Sequence, residues 1–170
     1  MQFQNNKCIN RVIITAIFSS IAIIISYIET FINIPVIFPG FKLGLANIVV
    51  IVALYKLSFR YAFIINIIRI LIIGILFGSM YSLIYSISGG VASVILMYLV
   101  LKTDKFSQIG IAIIGSNIHN LVQVLVAVIL LQNSMILSYL PILILIGTVM
   151  GFIVGVISKI IIRRIDDRVS

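Results

Sequence analysis

Polar residues punctuate this chain at wide intervals, and what lies between them is almost continuous hydrocarbon. Breaking the sequence at charges, prolines and polar clusters leaves apolar segments at about 9–28, 42–55, 60–78, 81–101, 107–131 and 139–162. A helix needs roughly 20 apolar residues to cross the hydrocarbon core of a bilayer. Most of the segments are long enough, so the pattern predicts an all-α, six-helix polytopic membrane bundle. The second is short for a full crossing, which predicts that it starts inside the preceding Pro/Gly-containing stretch, tilts, or enters the membrane only part way.

Composition removes the soluble alternative. Of the 170 residues, 62% are hydrophobic and 9% are charged, and the mean hydropathy is +1.32. Soluble domains carry about 25% charged residues, so this chain lacks the polar surface that even an all-helical globule requires. The first apolar segment outruns a signal peptide and has no small-x-small cleavage site, so it is expected to be a true span. Residues 1–170 are expected to form one integral membrane domain, with no internal disulfide because Cys8 is the single cysteine.

Charge then orients the spans. Lys7 and Arg11 precede the first, Lys56 and Arg60 join the second to the third, Lys102 and Lys105 join the fourth to the fifth, and Lys159, Arg163, Arg164 and Arg168 follow the sixth. With six spans all ten fall on one side, which the positive-inside rule makes cytoplasmic, with both termini inside. The net charge of +8 therefore reflects topology and anionic lipid headgroups rather than a nucleic-acid partner.

Two of the twelve basic residues, Lys42 and Arg69, stay unexplained by topology. Arg69 falls near the middle of the third span, where insertion costs about 2.5 to 3.5 kcal/mol on translocon scales. Such a residue must face the bundle interior, a wet cavity or a counter-charge. Asn66 lies three positions earlier on the same helical face, so the two form a polar stripe that is either a packing device or part of a ligand site. Glu29 is the one acid outside the expected cytoplasmic segments, in SYIETFINIPVIFPGFKLGLAN, which also carries Lys42 and Asn47. Pro35, Pro39 and Gly40 interrupt any continuous helix there, and broken backbone at membrane depth must line a cavity or be buried in protein. The segment is expected to cap a pocket on the outer side, with Glu29 paired to Lys42 or Arg69 or in contact with a ligand.

The fifth span adds GSNIHNLVQ. Ser116, Asn120 and Gln123 share a face, flanked by Asn117 and His119, and both interhelical hydrogen bonding and ligand binding fit that pattern. One histidine without nearby cysteines does not make a metal site. Small residues recur at four-residue spacing at Ala16 and Ser20, at Gly74 and Gly78, and at Gly147, Gly151 and Gly155. Such stripes permit close helix contact, within the bundle or with a partner. Gly89 and Gly90 in SISGG permit a close crossing or a break. The phosphate-binding GxxxxGK loop and paired DDxxD motifs are absent from the sequence, so neither ATP hydrolysis by that route nor magnesium-dependent prenyl transfer is expected, and no cofactor is implied.

FINIPVIFPGFKLGLANIVVIVAL at 31–54, followed in order by RILIIGILFG, SLIYSISGG and GSNIHNLVQVLVAVILL, resembles the Gx transporter family, often labelled heptaprenyl diphosphate synthase component I. The resemblance runs from about residue 9 to 162. That family is similar to the substrate-binding subunits of energy-coupling factor vitamin transporters, six-helix bundles that capture a small molecule below the loop joining the first two spans. They then topple when a membrane coupling protein and two ATPases act on them. The resemblance implies that FINIPVIFPGFKLG caps the pocket, that Arg69, Asn117, His119, Asn120 and Gln123 are pocket candidates, and that Ala16 and Ser20 meet the coupling protein.

Two functions follow as expectations. One is capture of a small solute, anionic or related to isoprenoids, quinones or vitamins, by a non-enzymatic subunit in a bacterial plasma membrane. Its substrate-binding set is Arg69, Asn66, Glu29, Lys42, Asn47, Asn117, His119, Asn120 and Gln123. The other is a non-transporting accessory subunit of a quinone, prenyl diphosphate or flavin-dependent extracellular electron-transfer system, because relatives are thought to lie beside genes for such processes.

Overall fold

Among the described residues there are six helices and one 3-10 turn, and the local sequence explains several of their ends. The structure, a computed structural model, describes residues 2–31 and 44–169. The helices are α1 (Gln2–Phe31), α2 (Asn47–Lys56), α3 (Phe59–Phe77), α4 (Met80–Leu101), α5 (Gln108–Leu131) and α6 (Leu140–Val169), with the 3-10 turn at Ser134–Tyr139. Ser79 caps α4 by accepting from the Ser82 amide at 3.1 Å, and Ser107 caps α5 by accepting from Gly110 at the same distance. These serines satisfy amides that the first helical turn leaves without partners. At the end of α3 the Gly78 amide closes on the Gly74 carbonyl at 3.0 Å.

Five helical stretches are long and apolar enough to cross a bilayer, and α2 is the exception. The chain is thus an all-α polytopic membrane bundle. The first helix extends past the apolar run 9–28 at both ends, to Gln2 and Phe31. The second begins at Asn47 rather than near 42, and the capping stretch 32–43, with Lys42, lies outside the described residues.

The short helix sits in the middle. Every residue from Ile48 to Leu54 is buried, as its unbroken apolar sequence demands of a helix with no polar face. Around it the core takes a contribution from each other helix, among them Ala22, Ile65, Met97, Ile111 and Val154. Outside this core the long helices turn rows of isoleucine and leucine outward, including Ile17, Ile24, Ile75, Ile129 and Leu145. In water such a surface would aggregate; in lipid it is the solvated face.

Ring and ion contacts fix which ends lie together. Tyr27 packs on Phe77 with centroids 5.0 Å apart, so α1 and α3 end side by side. Phe59 packs on Tyr98 at 4.6 Å, which sets the start of α3 beside the end of α4. Lys56 pairs with Asp166, bringing the end of α2 to the end of α6. The basic residues of the α2–α3 and α4–α5 connections and of the α6 terminus therefore gather at one end, and Glu29 lies toward the other.

Candidate functional site

Arg69 reaches the interior because its place on α3 leaves it no other direction. Seven residues of that helix are buried, Arg69 and Asn66 among them, and Arg69 is only 6% exposed. Its guanidinium is held by three donations. One nitrogen donates to Ser26 of α1 at 3.3 Å; the other donates to Asn47 at the start of α2 at 3.2 Å and to Asn66 at 2.7 Å. A planar, always charged fork suits this role, since it can address three elements at once. The Nε–H remains without a protein acceptor among the described residues, as does the Asn66 amide nitrogen.

Glu29 completes the electrostatics. It is 4% exposed, and its carboxylate accepts from the Leu45 amide just ahead of α2. A carboxylate at a helix N-terminus is favourably placed against the helix dipole. It also lies within Coulombic reach of Arg69, so the buried cation has a buried anion near it.

A cavity of about 20 Å³ opens beside the guanidinium, bordered by the polar residues Ser26, Asn47, Arg69, Ser86, His119 and Gln123 and by Ile70 and Ile73. That is about the room one water needs. Gly44 forms part of its edge with a φ of +80°, a left-handed conformation natural to glycine. Five elements meet there, and close packing brings them in. A methyl group on Gly90 would collide with Ile70 and stand 2.9 Å from the Asn66 amide, and one on Gly89 would stand 2.8 Å from the His119 carbonyl oxygen. The SISGG stretch therefore carries α4 unbroken between α3 and α5 at close approach.

The sequence candidates divide accordingly. Arg69, Asn66, Asn47, His119 and Gln123 come together at or beside the cavity, and Glu29 stands close by. Asn117 and Asn120 do not border it. Asn117 donates to the Thr148 hydroxyl at 3.0 Å and Asn120 to the Leu143 carbonyl at 2.9 Å, both on α6. A methyl on Gly147 would lie 2.6 Å from each of these amides, so they form the α5–α6 seam. Ser26 and Ser86 border the cavity and escaped the sequence reading. Ser26 lies one turn before Glu29 on α1, a spacing that could have drawn attention to it.

The small-residue stripes also separate. Gly151 and Gly155 let α6 approach the Cα atoms of Ile113 and Ile109, so that stripe is consumed inside the bundle. Ala16 and Ser20 instead line an apolar groove of about 490 Å³ between α1 and α3, with Val12, Ile23, Ile64 and Ile68. Among the described residues, no three of His, Cys, Asp and Glu are grouped so as to hold a metal ion.

Together these features define a polytopic helical membrane protein with a guanidinium-centred polar site inside its bundle. The chain belongs to the family described as heptaprenyl diphosphate synthase component I, which matches residues 18–161. No curated protein and no solved structure matches it.

Proposed function

We propose that the chain is a membrane capture subunit that binds a small polar solute beside Arg69, from the end of the bundle where Glu29 lies, for uptake with a separate energising module. The observation that carries this reading is the Arg69 Nε–H, buried beside a cavity and left without an acceptor among the described residues. A buried charge with a spare donor is expensive unless something accepts from it, and an acceptor on the solute meets that need. Ser86, His119 and Gln123 supply the opposite wall. The collected basic end fits a cytoplasmic side in a bacterial plasma membrane, which leaves the site facing outward.

A second reading, an accessory subunit without a solute, draws on the three donations that Arg69 already makes inside the fold and on the synthase-component description of the family. Native mass spectrometry of the chain purified from its own membrane in mild detergent separates the two. A retained small molecule that disappears in Arg69→Ala supports capture. A stoichiometric quinone- or redox-related membrane protein, with no small molecule, supports the accessory role.

A further inference from the structure

α1 and α3 close on each other at one end and part at the other. Near their C-terminal ends the Tyr27 and Phe77 rings meet 5.0 Å apart, and Ser26 accepts from Arg69. Toward their starts the helices leave the groove of about 490 Å³ lined by the small residues Ala16 and Ser20 and the branched Val12, Ile23, Ile64 and Ile68. The hydroxyls along it are turned elsewhere. Thr15 and Ser20 donate to the carbonyls of Arg11 and Ala16 in their own helix, at 2.7 and 3.0 Å, and the Ser19 hydroxyl oxygen is itself buried. An apolar opening of this kind does not hold water, and in a bilayer it takes up hydrocarbon.

Its dimensions suit one hydrocarbon chain. From Val12 to Ile23 helix α1 advances roughly 16 Å at 1.5 Å per residue, which is the depth of one leaflet, about half of a 30 Å hydrocarbon core. Averaged over that length, the groove has a section of about 30 Å², against about 80 Å² for a helix 10 Å across.

The mouth of the groove is cationic. Arg11 directly precedes Val12, and Arg60 directly precedes Tyr61, which also lines the groove. The two arginines stand level: Arg11 lies 16 residues before Tyr27 and Arg60 lies 17 before Phe77, so each is about 25 Å back along its helix from the ring contact. Both are exposed. The ion pair at this end joins Lys56 to Asp166 and involves neither of them. A guanidinium fork matches the oxygens of a phosphate, and a tyrosine at this level is at home among headgroups.

We infer that the groove is a binding site for one anionic phospholipid of the leaflet at the basic end, with an acyl chain between α1 and α3 and the phosphate between Arg11 and Arg60. The lipid fills the space where the two helices part.

Native mass spectrometry of the purified protein, given phosphatidylglycerol and phosphatidylcholine with identical acyl chains, tests this. Wild type is expected to retain one phosphatidylglycerol and to prefer it at least about fivefold, the step that one basic residue near the headgroups provides. Arg11→Gln and Arg60→Gln should each lower its retention about fivefold. Ala16→Leu, which fills the groove and keeps both arginines, should abolish it; Ser20→Leu is the second variant of this kind. Both positions are exposed, so the larger side chain has room, and unfolding temperatures report whether each variant is folded. Equal retention of the two lipids overturns the recognition of charge. Phosphatidylglycerol that stays bound in folded Ala16→Leu and Ser20→Leu proteins overturns the groove as its site. A membrane protein that co-purifies with wild type and is lost in Ala16→Leu, with lipid retention unchanged, gives the groove to a protein helix and likewise overturns the inference. Should neither leucine variant fold, the arginine variants decide.

Discussion

Arg69 of α3 donates to the side-chain oxygen of Asn47 at 3.2 Å, tying the middle of a full-length span to the first turn of the helix buried at the centre of the bundle. The same guanidinium holds Ser26 of α1, so one side chain anchors three elements around a cavity. Each of the following expectations depends on that arrangement or on the seams beside it.

Arg69 and Glu29 are expected to be energetically coupled. Arg69→Met removes the buried cation within Coulombic reach of Glu29, and breaking a buried charge pair costs about 3 to 5 kcal/mol in comparable cases, while Glu29→Gln exposes the opposite imbalance. The double variant should be less destabilised than the sum of the two, with a coupling of about 0.5 to 3 kcal/mol. Thermal unfolding of all four proteins in one detergent measures it, and strict additivity would show that the two charges do not sense each other.

Gly89 and Gly90 should differ in tolerance. An added methyl at Gly89 meets a backbone carbonyl, which cannot move alone, whereas at Gly90 it meets the Ile70 and Asn66 side chains. Overpacking of this kind costs about 1 to 3 kcal/mol, and Gly89→Ala should lie at the upper end. Gly90→Ala should instead disturb solute retention, because it pushes on Asn66 beside Arg69. Unfolding midpoints set against retained ligand in native mass spectrometry distinguish the two effects.

Asn120→Ala and Gln123→Ala should separate the seam from the site. Losing the Asn120 bond to Leu143 is expected to cost about 0.6 kcal/mol, and no more than ~1.7, typical of hydrogen bonds between membrane helices, with solute binding unchanged. Gln123→Ala should weaken binding with little effect on unfolding. The opposite result would move the site to the α5–α6 seam.

Asp166→Asn removes the partner of Lys56. Asp166 is largely exposed, so the loss should stay under about 1 kcal/mol and shrink further in high salt.

Topology can be checked with thiol labelling. In a Cys8→Ser background, cysteine at Ser79 or Ser134 should react with a membrane-impermeant reagent in intact cells, and cysteine at Asp104 only after the cells are opened. Labelling of Asp104→Cys in intact cells would invert the bundle and close the outer approach to Arg69.

Much of this architecture can be read directly from the residues, and the part that cannot has a physical cause. A charge in an apolar run is conspicuous, so Arg69 stands out at once, and helical spacing adds Asn66. The serines are quiet because a hydroxyl in a membrane helix usually bonds to its own backbone, as Ser20 does to Ala16 and Ser88 to Ile84; nothing in the letters separates Ser86 from these, and only its place one turn before Glu29 marks Ser26. On α5 the polar cluster divides between two neighbours. That helix packs between α4 and α6, so both of its sides are interior, and periodicity alone cannot tell the Asn117 and Asn120 seam from the His119 and Gln123 wall.

The proximity of Glu29 to Arg69 has one more consequence, which concerns the membrane potential. A single unpaired charge carried through 100 mV exchanges about 2.3 kcal/mol with the field, so an arginine alone would make any tilt or shift of the bundle strongly voltage-dependent. A cation and an anion that move together carry almost no net charge through the field. On the capture reading, a tilt of the bundle that carries these two charges together draws little energy from the voltage of the cell.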